Sequence, residues 1–537
     1  MTALGLHLGL LLSLSCVPEV PREPGVVVVA QEQQATWIRN FNPLVPTSAR
    51  WPTSAGVYEP LYIFNEATGE WVPWLATDSS WSEDATELRF EIRQGVRWSD
   101  GQPFTAEDVA FTFNMMKEVP GADLGGVWGF LESVVAGETQ VTFTFQRPYV
   151  SGLQAISQQA ILPEHIWSSI ESPLLEQNPD PVGTGPFTEV STFRGQVFQL
   201  DKNPYYWQEL EVEALRFPAL SSNDQASIAL IRGELDWAGI FVPAVERTYL
   251  ARDENYQAWF PTQGGTIFLY ANTQVEPLDN PKVREALSLA IDRQRLVEVA
   301  MYNYTTPSRP TALSDGYSDW EDSSLKGWTD FDAQRAGELL DQAGLKKGKD
   351  GMRTLPDGSE LTLSITSPAG WSDWVRAVQV IAGDLRNIGL DVQVKGYDFS
   401  AWYERVGRGD FELSLGWSEQ GPSPVPMYKA LMDPSAVVKV GEPSFRNWHR
   451  YGSEKAAPLF AAFDATPDPL EQARIVNALQ QIFVDEVPAI PLFPAPAWGE
   501  ANHTHITGFP SAQDPYAPLS PNAVPACLLV MTRLEAK

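Results

Sequence analysis

The chain has 537 residues, is 43 % hydrophobic and 20 % charged, and carries a formal net charge of −30. That length accommodates two or three domains of ordinary globular composition, and the strong negative charge repels phosphate backbones, which argues against nucleic acid as a partner. Two cysteines, Cys16 and Cys527, cannot build a disulfide framework, and five scattered histidines offer no zinc spacing, so neither metal nor cofactor is expected.

Residues 4–14 form an apolar run of signal-peptide length, too short to span a bilayer. Cys16 follows Ser13-Leu14-Ser15, close to a lipoprotein cleavage box, so lipidation of Cys16 is the expected membrane attachment. A proline-rich linker leads to a short buried strand at Val26–Ala30. The stretch from Glu87 to Asn114 reads as a strand, a turn at Ser99-Asp100-Gly101, and a helix capped by Thr105 with Asp108 in a variant capping box. Val109, Phe113 and Met116 share one face of that helix. Residues 141–145 alternate as a half-buried strand. The glycines of Gly183-Thr-Gly-Pro-Phe187 read as a tight turn using positive φ; no Lys-Ser/Thr follows to make a phosphate cradle.

Further along, residues 281–292 form an amphipathic helix with proline near its start, and residues 334–343 form another with Gly344 just beyond it. Strands at 361–365, 392–394 and 411–415, with a helix at 374–387 between the first two, point to an open α/β sheet. A helix at 473–484 follows, and then the segment Pro488-Ala-Ile-Pro-Leu-Phe493. No nucleophile–base spacing is legible, and 68 carboxylates make any single carboxylate pair uninformative, so an enzyme is not expected.

The string Gly95-Val-Arg-Trp-Ser-Asp-Gly-Gln-Pro-Phe-Thr-Ala-Glu-Asp-Val109 resembles the signature of family 5 extracellular solute-binding proteins, which feed ABC importers. Tyr58-Glu-Pro-Leu61, Ile161-Leu-Pro-Glu-His165, Gly183-Thr-Gly-Pro-Phe187, Lys202-Asn-Pro-Tyr-Tyr-Trp207 and the helix opening at Pro281 continue the likeness over nearly the whole mature chain. The resemblance implies a two-lobed, periplasmic-binding-protein-like α/β fold of the large dipeptide-binding type (class II), with an accessory domain and a hinge. Its expected parts are a leader and linker at 1–25, lobe I at 26–71, 182–280 and 495–537, the accessory domain at 72–181, and lobe II at 281–494. It also implies a secreted or surface-anchored, non-enzymatic and monomeric receptor whose partners are a small solute and the permease subunits.

For the solute, the resemblance directs attention to the end of the strand at 411–415. Peptide-binding members carry an aspartate there that pairs with the α-amino group; here the frame Trp417-Ser418-Glu419 puts Gln420 in its place. A neutral amide cannot offset a desolvated ammonium. Of 19 tryptophans, Trp37, Trp51, Trp237, Trp371, Trp374, Trp402, Trp417, Trp448 and Trp498 fall near cleft-forming segments, and indole faces suit pyranose rings. The expected ligand set is therefore Trp37, Asn40, Trp237, Trp371, Trp402, Trp417, Glu419, Gln420 and Trp448. The expected solute is a β-linked oligosaccharide of the cello-oligosaccharide type, with an oligopeptide as the alternative. Against these stands the reading of each tryptophan as core.

Overall fold

A computed structural model describes residues 23–31, 33–45, 56–262 and 264–537. The leader, Cys16 and Trp51 lie outside the described residues.

Three sheets organise the chain. In lobe I, Val26–Ala30 lies in a seven-stranded sheet, parallel to Ala214–Pro218 on one side and to Trp237–Ala238 on the other. A parallel strand covered on both faces reads as an unbroken apolar run, which is why Val-Val-Val-Val-Ala shows no alternation. Antiparallel neighbours complete the sheet, ending in Phe187–Arg194 at one edge and Tyr256–Ala258 at the other.

The second sheet is antiparallel and four-stranded, in the order Ala76–Trp81, Glu87–Ile92, Gln140–Phe145, Leu131–Ala136. The helix Ala106–Glu118 covers it and buries Val109, Phe113 and Met116, with Thr105 and Asp108 forming the anticipated capping box. Asp108 does more than cap: it also accepts from the Trp98 indole (3.2 Å) and the Glu164 amide (2.9 Å), tying the turn and the following helix together. This sheet shares one continuous apolar core with lobe I.

The lobe II sheet runs Asp391–Tyr397, Thr362–Pro368, Leu413–Trp417, Thr266–Ala271, Ile490–Pro494. The first three strands are parallel, and Thr266–Ala271 is antiparallel to both of its neighbours. This corrects the expected boundary at 281, because residues 266–271 pair within lobe II. The strand is buried along its whole length, so its sequence carries no sign of which sheet it joins. The chain thus enters lobe II at Gly264-Gly265 and returns to the lobe I sheet at Glu500–Asn502.

The glycines at 183 and 185 also need a different account from positive φ, which neither adopts. A Cβ on Gly183 would stand 1.9 Å from the Val57 carbonyl oxygen, and one on Gly185 would stand 1.8 Å from that of Gly56. Close backbone approach is what excludes a side chain there. Gly344, in contrast, takes a φ of +87° beyond the helix Ala333–Gln342, as a C-terminal cap requires.

Candidate functional site: the seam between the lobes

The lobes meet along a seam closed by hydrogen bonds near both ends. At one end Asn223 of lobe I donates its backbone amide to the Gly370 carbonyl (2.9 Å) and its side chain to Asp373 of lobe II (3.1 Å). Burial pushes the Asp373 carboxyl up to about 6. At the other end the accessory domain grips lobe II. Gln154 donates to the Gln420 carbonyl (3.0 Å), Ser151 to the Asp464 carboxylate (2.6 Å), and the Val150 amide to the Asp464 carbonyl (2.7 Å). Lys429 completes that cluster, 3.4 Å from Asp464 and from the Tyr149 hydroxyl.

Two cavities open along this seam. The smaller, about 460 Å³, is lined by Gln34, Trp37, Ser222, Trp371, Asp398 and Ser400, among others. Its walls come from the segments following Val26–Ala30, Thr362–Pro368 and Asp391–Tyr397, all members of parallel pairs. Ligands in open α/β sheets lie beyond such carboxyl ends. The larger cavity, about 980 Å³, lies between the accessory domain and lobe II and is lined by Arg147, Gln154, Glu419, Gln420, Lys429, Asp433, Arg446 and Asp464, among others.

The expected ligand residues divide between these cavities and the core. Glu419 and Gln420, both half-buried, line the larger cavity. Trp371 is half-buried, lines the smaller one, and leaves its indole N–H without a hydrogen-bond partner among the described residues. Trp417 is also half-buried, its ring packed 5.1 Å from Trp448, 5.5 Å from Trp402 and 6.2 Å from Trp371.

The other tryptophans require correction. Trp237 is fully buried and donates to the Leu519 carbonyl, which makes it core of lobe I. Trp402 is fully buried with its indole on Ser414 (3.1 Å), and Trp448 is 4 % exposed and packs edge-on against Tyr270. Trp37 borders the smaller cavity, but it is 6 % exposed, packs on Phe198 and donates to the Phe217 carbonyl. Asn40 lines neither cavity; its side chain accepts from the Asn42 amide in a local turn. A buried indole usually finds a partner for its N–H, as Trp37, Trp237 and Trp402 do, and sequence position alone did not separate a wall from the core behind it.

Several seam residues escaped the sequence reading: Glu66, Gln154, Asn223, Asp373 and Asp464. Each sits in a turn or at a helix end, where a polar residue ordinarily faces water. Glu66 illustrates the point. From the turn of the hairpin Tyr62–Asn65/Glu70–Pro73 its carboxylate faces the Gln420 amide, which, turned with its nitrogen toward Glu66, donates to both oxygens at 2.8 and 3.0 Å, and burial pushes Glu66 up to about 7.

This architecture has known relatives. The model of the family described as bacterial extracellular solute-binding proteins, family 5 Middle, matches residues 70–437. The oligopeptide-binding protein OppA of Bacillus subtilis is 24 % identical over 479 residues, covering 84 % of this chain and 85 % of its own. The glutathione-binding protein GsiB of Escherichia coli K12 is 26 % identical over 452 residues, covering 81 % and 82 %. Among solved structures, the mannohexaose-bound periplasmic oligopeptide-binding protein of Thermotoga maritima superimposes with a TM-score of 0.89 at 27 % identity, over 96 % of this chain and all of that one. Proteins of this type are two-lobed receptors, not enzymes, and they hand a small solute to permease subunits. The chain belongs to the family 5 extracellular solute-binding proteins and is a substrate-binding receptor of an ABC importer.

Proposed function

We propose that the imported solute is a short peptide with free termini. One observation carries this reading: the larger cavity presents charge of both signs, with Glu419, Asp433 and Asp464 set against Arg147, Lys429 and Arg446. A zwitterion finds a counter-charge for each end in such a groove, whereas a neutral sugar offers none to the charges that are not already paired as Lys429 and Asp464 are. The names of the relatives, oligopeptide-binding and glutathione-binding, agree with it. The tryptophan platform that favoured an oligosaccharide is weakened, because Trp237, Trp402 and Trp448 are core.

The oligosaccharide remains a second reading on a specific ground. The smaller cavity offers an indole face and hydroxyls with Asp398 as its charged residue, and a relative of matching fold binds mannohexaose. Isothermal titration with a tripeptide pool, N-acetylated tripeptide amides, mannohexaose and cellobiose separates the two. The peptide reading expects heat from free-termini peptides, and a stabilisation of about 2.7 kcal/mol at 100 times the dissociation constant. Tight sugar binding with silence from every peptide would overturn it.

A further inference from the structure

Glu66 belongs to the lobe I side, yet its carboxylate is held from lobe II. With the Gln420 amide turned so that its nitrogen faces Glu66, the orientation that satisfies both of its ends, it donates to both carboxylate oxygens (2.8 and 3.0 Å) and its oxygen accepts from the Gly265 amide at the chain crossover (3.2 Å). Next to Gln420, the Gly421 backbone exchanges two hydrogen bonds with the Tyr317 hydroxyl (3.0 and 3.1 Å). The titratable group facing Glu66 from this side is that Tyr317 phenol, which burial and the Glu66 charge push up to about 12. Gln420 and Gly265 are uncharged. Burial alone accounts for the upward shift of Glu66, and no cation offsets it among the described residues. Closing the lobes therefore places the Glu66 carboxylate among neutral partners, against the side chain of Gln420, which itself lines the larger cavity next to Glu419. Ionised, it is costly there. Two things offset that cost: a proton on Glu66, or a positive charge brought by the solute.

We propose that Glu66 sets the charge preference of the cleft: closure over a neutral solute takes up a proton at Glu66, whereas closure over a solute bearing an ammonium group leaves Glu66 ionised with that group as its counter-charge. The inference rests on the reading of the chain as a peptide receptor and deepens it, because it names a residue that distinguishes an amine from its neutral counterpart. Discrimination then grows with pH. Below the ordinary value of 4.5 both solutes are accepted; between there and about 7 the neutral one loses up to about tenfold in affinity per pH unit, and above that the loss levels off.

The test is titration of the full chain with a tripeptide and with the same peptide N-acetylated, each in two buffers of different ionisation enthalpy at pH 7. The acetylated peptide is expected to bind with uptake of about half a proton and the free amine with nearly none. In Glu66→Gln, a near-isosteric change whose fold is checked by its melting curve, uptake should vanish and the pH-dependent preference should collapse. Equal proton uptake in wild type and variant, or an unchanged ratio of the two affinities from pH 6 to 8, overturns the proposal. Failure of every peptide to bind overturns the peptide reading alone. Mannohexaose, itself neutral, then serves for the same measurement, and binding without proton uptake overturns the role of Glu66 as well.

Discussion

The two cavities along the seam differ in what their walls can hold. In the smaller one the charged wall residue is Asp398, and its carboxylate is already engaged in capping the helix Phe399–Arg408 through the Ala401 amide (3.1 Å). What remains is an indole, hydroxyls and amides. The larger one gathers carboxylates and cations around hydrogen-bonded anchors at Gln154, Lys429 and Asp464. Among the described residues none lines both. A solute reaching from one to the other meets charge recognition at one end and shape with neutral hydrogen bonding at the other.

The aromatic cluster behind both compartments gives the largest expected effect. Trp402 is fully buried beneath Trp371 and Trp417. Trp402→Ala should cost roughly 3–5 kcal/mol of stability, read from chemical denaturation. Solute affinity per folded molecule should change little. Selective loss of one solute class, with stability intact, would mean that Trp402 is a wall and not the backing.

Asp373 supplies a pH test at the end nearer the smaller cavity. Its carboxyl is raised to about 6, first by burial, with hydrogen bonds and Arg376 opposing. A raised carboxyl binds its proton more readily in the folded state, so the stability it confers is complete below its ordinary value of 3.8 and is lost as pH rises through about 6. Asp373→Asn keeps the contact with Asn223 and removes that slope. Relative to the variant, wild type should lose on the order of 1–3 kcal/mol between pH 4 and 7. Parallel melting curves across that range would refute the assignment.

The third test acts on the charged compartment. Asp464 accepts from Ser151 and faces Lys429. Asp464→Asn retains hydrogen-bonding capacity and removes the charge, freeing Lys429 to disturb the balance that a zwitterion meets. Peptide affinity should fall by about tenfold, about 1.4 kcal/mol, while a neutral solute held in the smaller cavity is unaffected. Equal losses for both classes would show that Asp464 serves lobe closure itself.

These contrasts show where the sequence was readable. The helix Ala106–Glu118 was legible because cap, box and apolar face all agree locally. The strands that carry the site were legible as apolar runs, and Leu413–Trp417 does end at the seam. The partner sheet of Thr266–Ala271 was not, since an all-buried strand shows no face. Glu66 was not legible either: a glutamate in a hairpin turn reads as solvated, and its burial comes from Gln420, 354 residues later in the chain. The tryptophans failed for a related reason. Trp371 and Trp402 belong to the same cluster, and only three-dimensional packing decides which one meets the cavity.

The smallest expected effect comes from Gln34, on the neutral side. Its side-chain nitrogen is buried and has no hydrogen-bond partner among the described residues, although the residue lines the smaller cavity. A buried donor left unpaired carries its desolvation cost without return, so replacing it with an apolar side chain of similar length should leave the empty protein equally stable or slightly more so. If an oxygen of the solute pairs with it after closure, Gln34→Leu should weaken binding by about 0.5–1.5 kcal/mol, the ordinary contribution of one neutral hydrogen bond. The loss should be the same for free-termini and N-acetylated peptides, since no charge at this end distinguishes them. Titration of both on the one variant reads this directly. A loss confined to the free-amine peptide would mean that the charged end reaches the smaller cavity, and the division of labour between the two compartments would then be wrong.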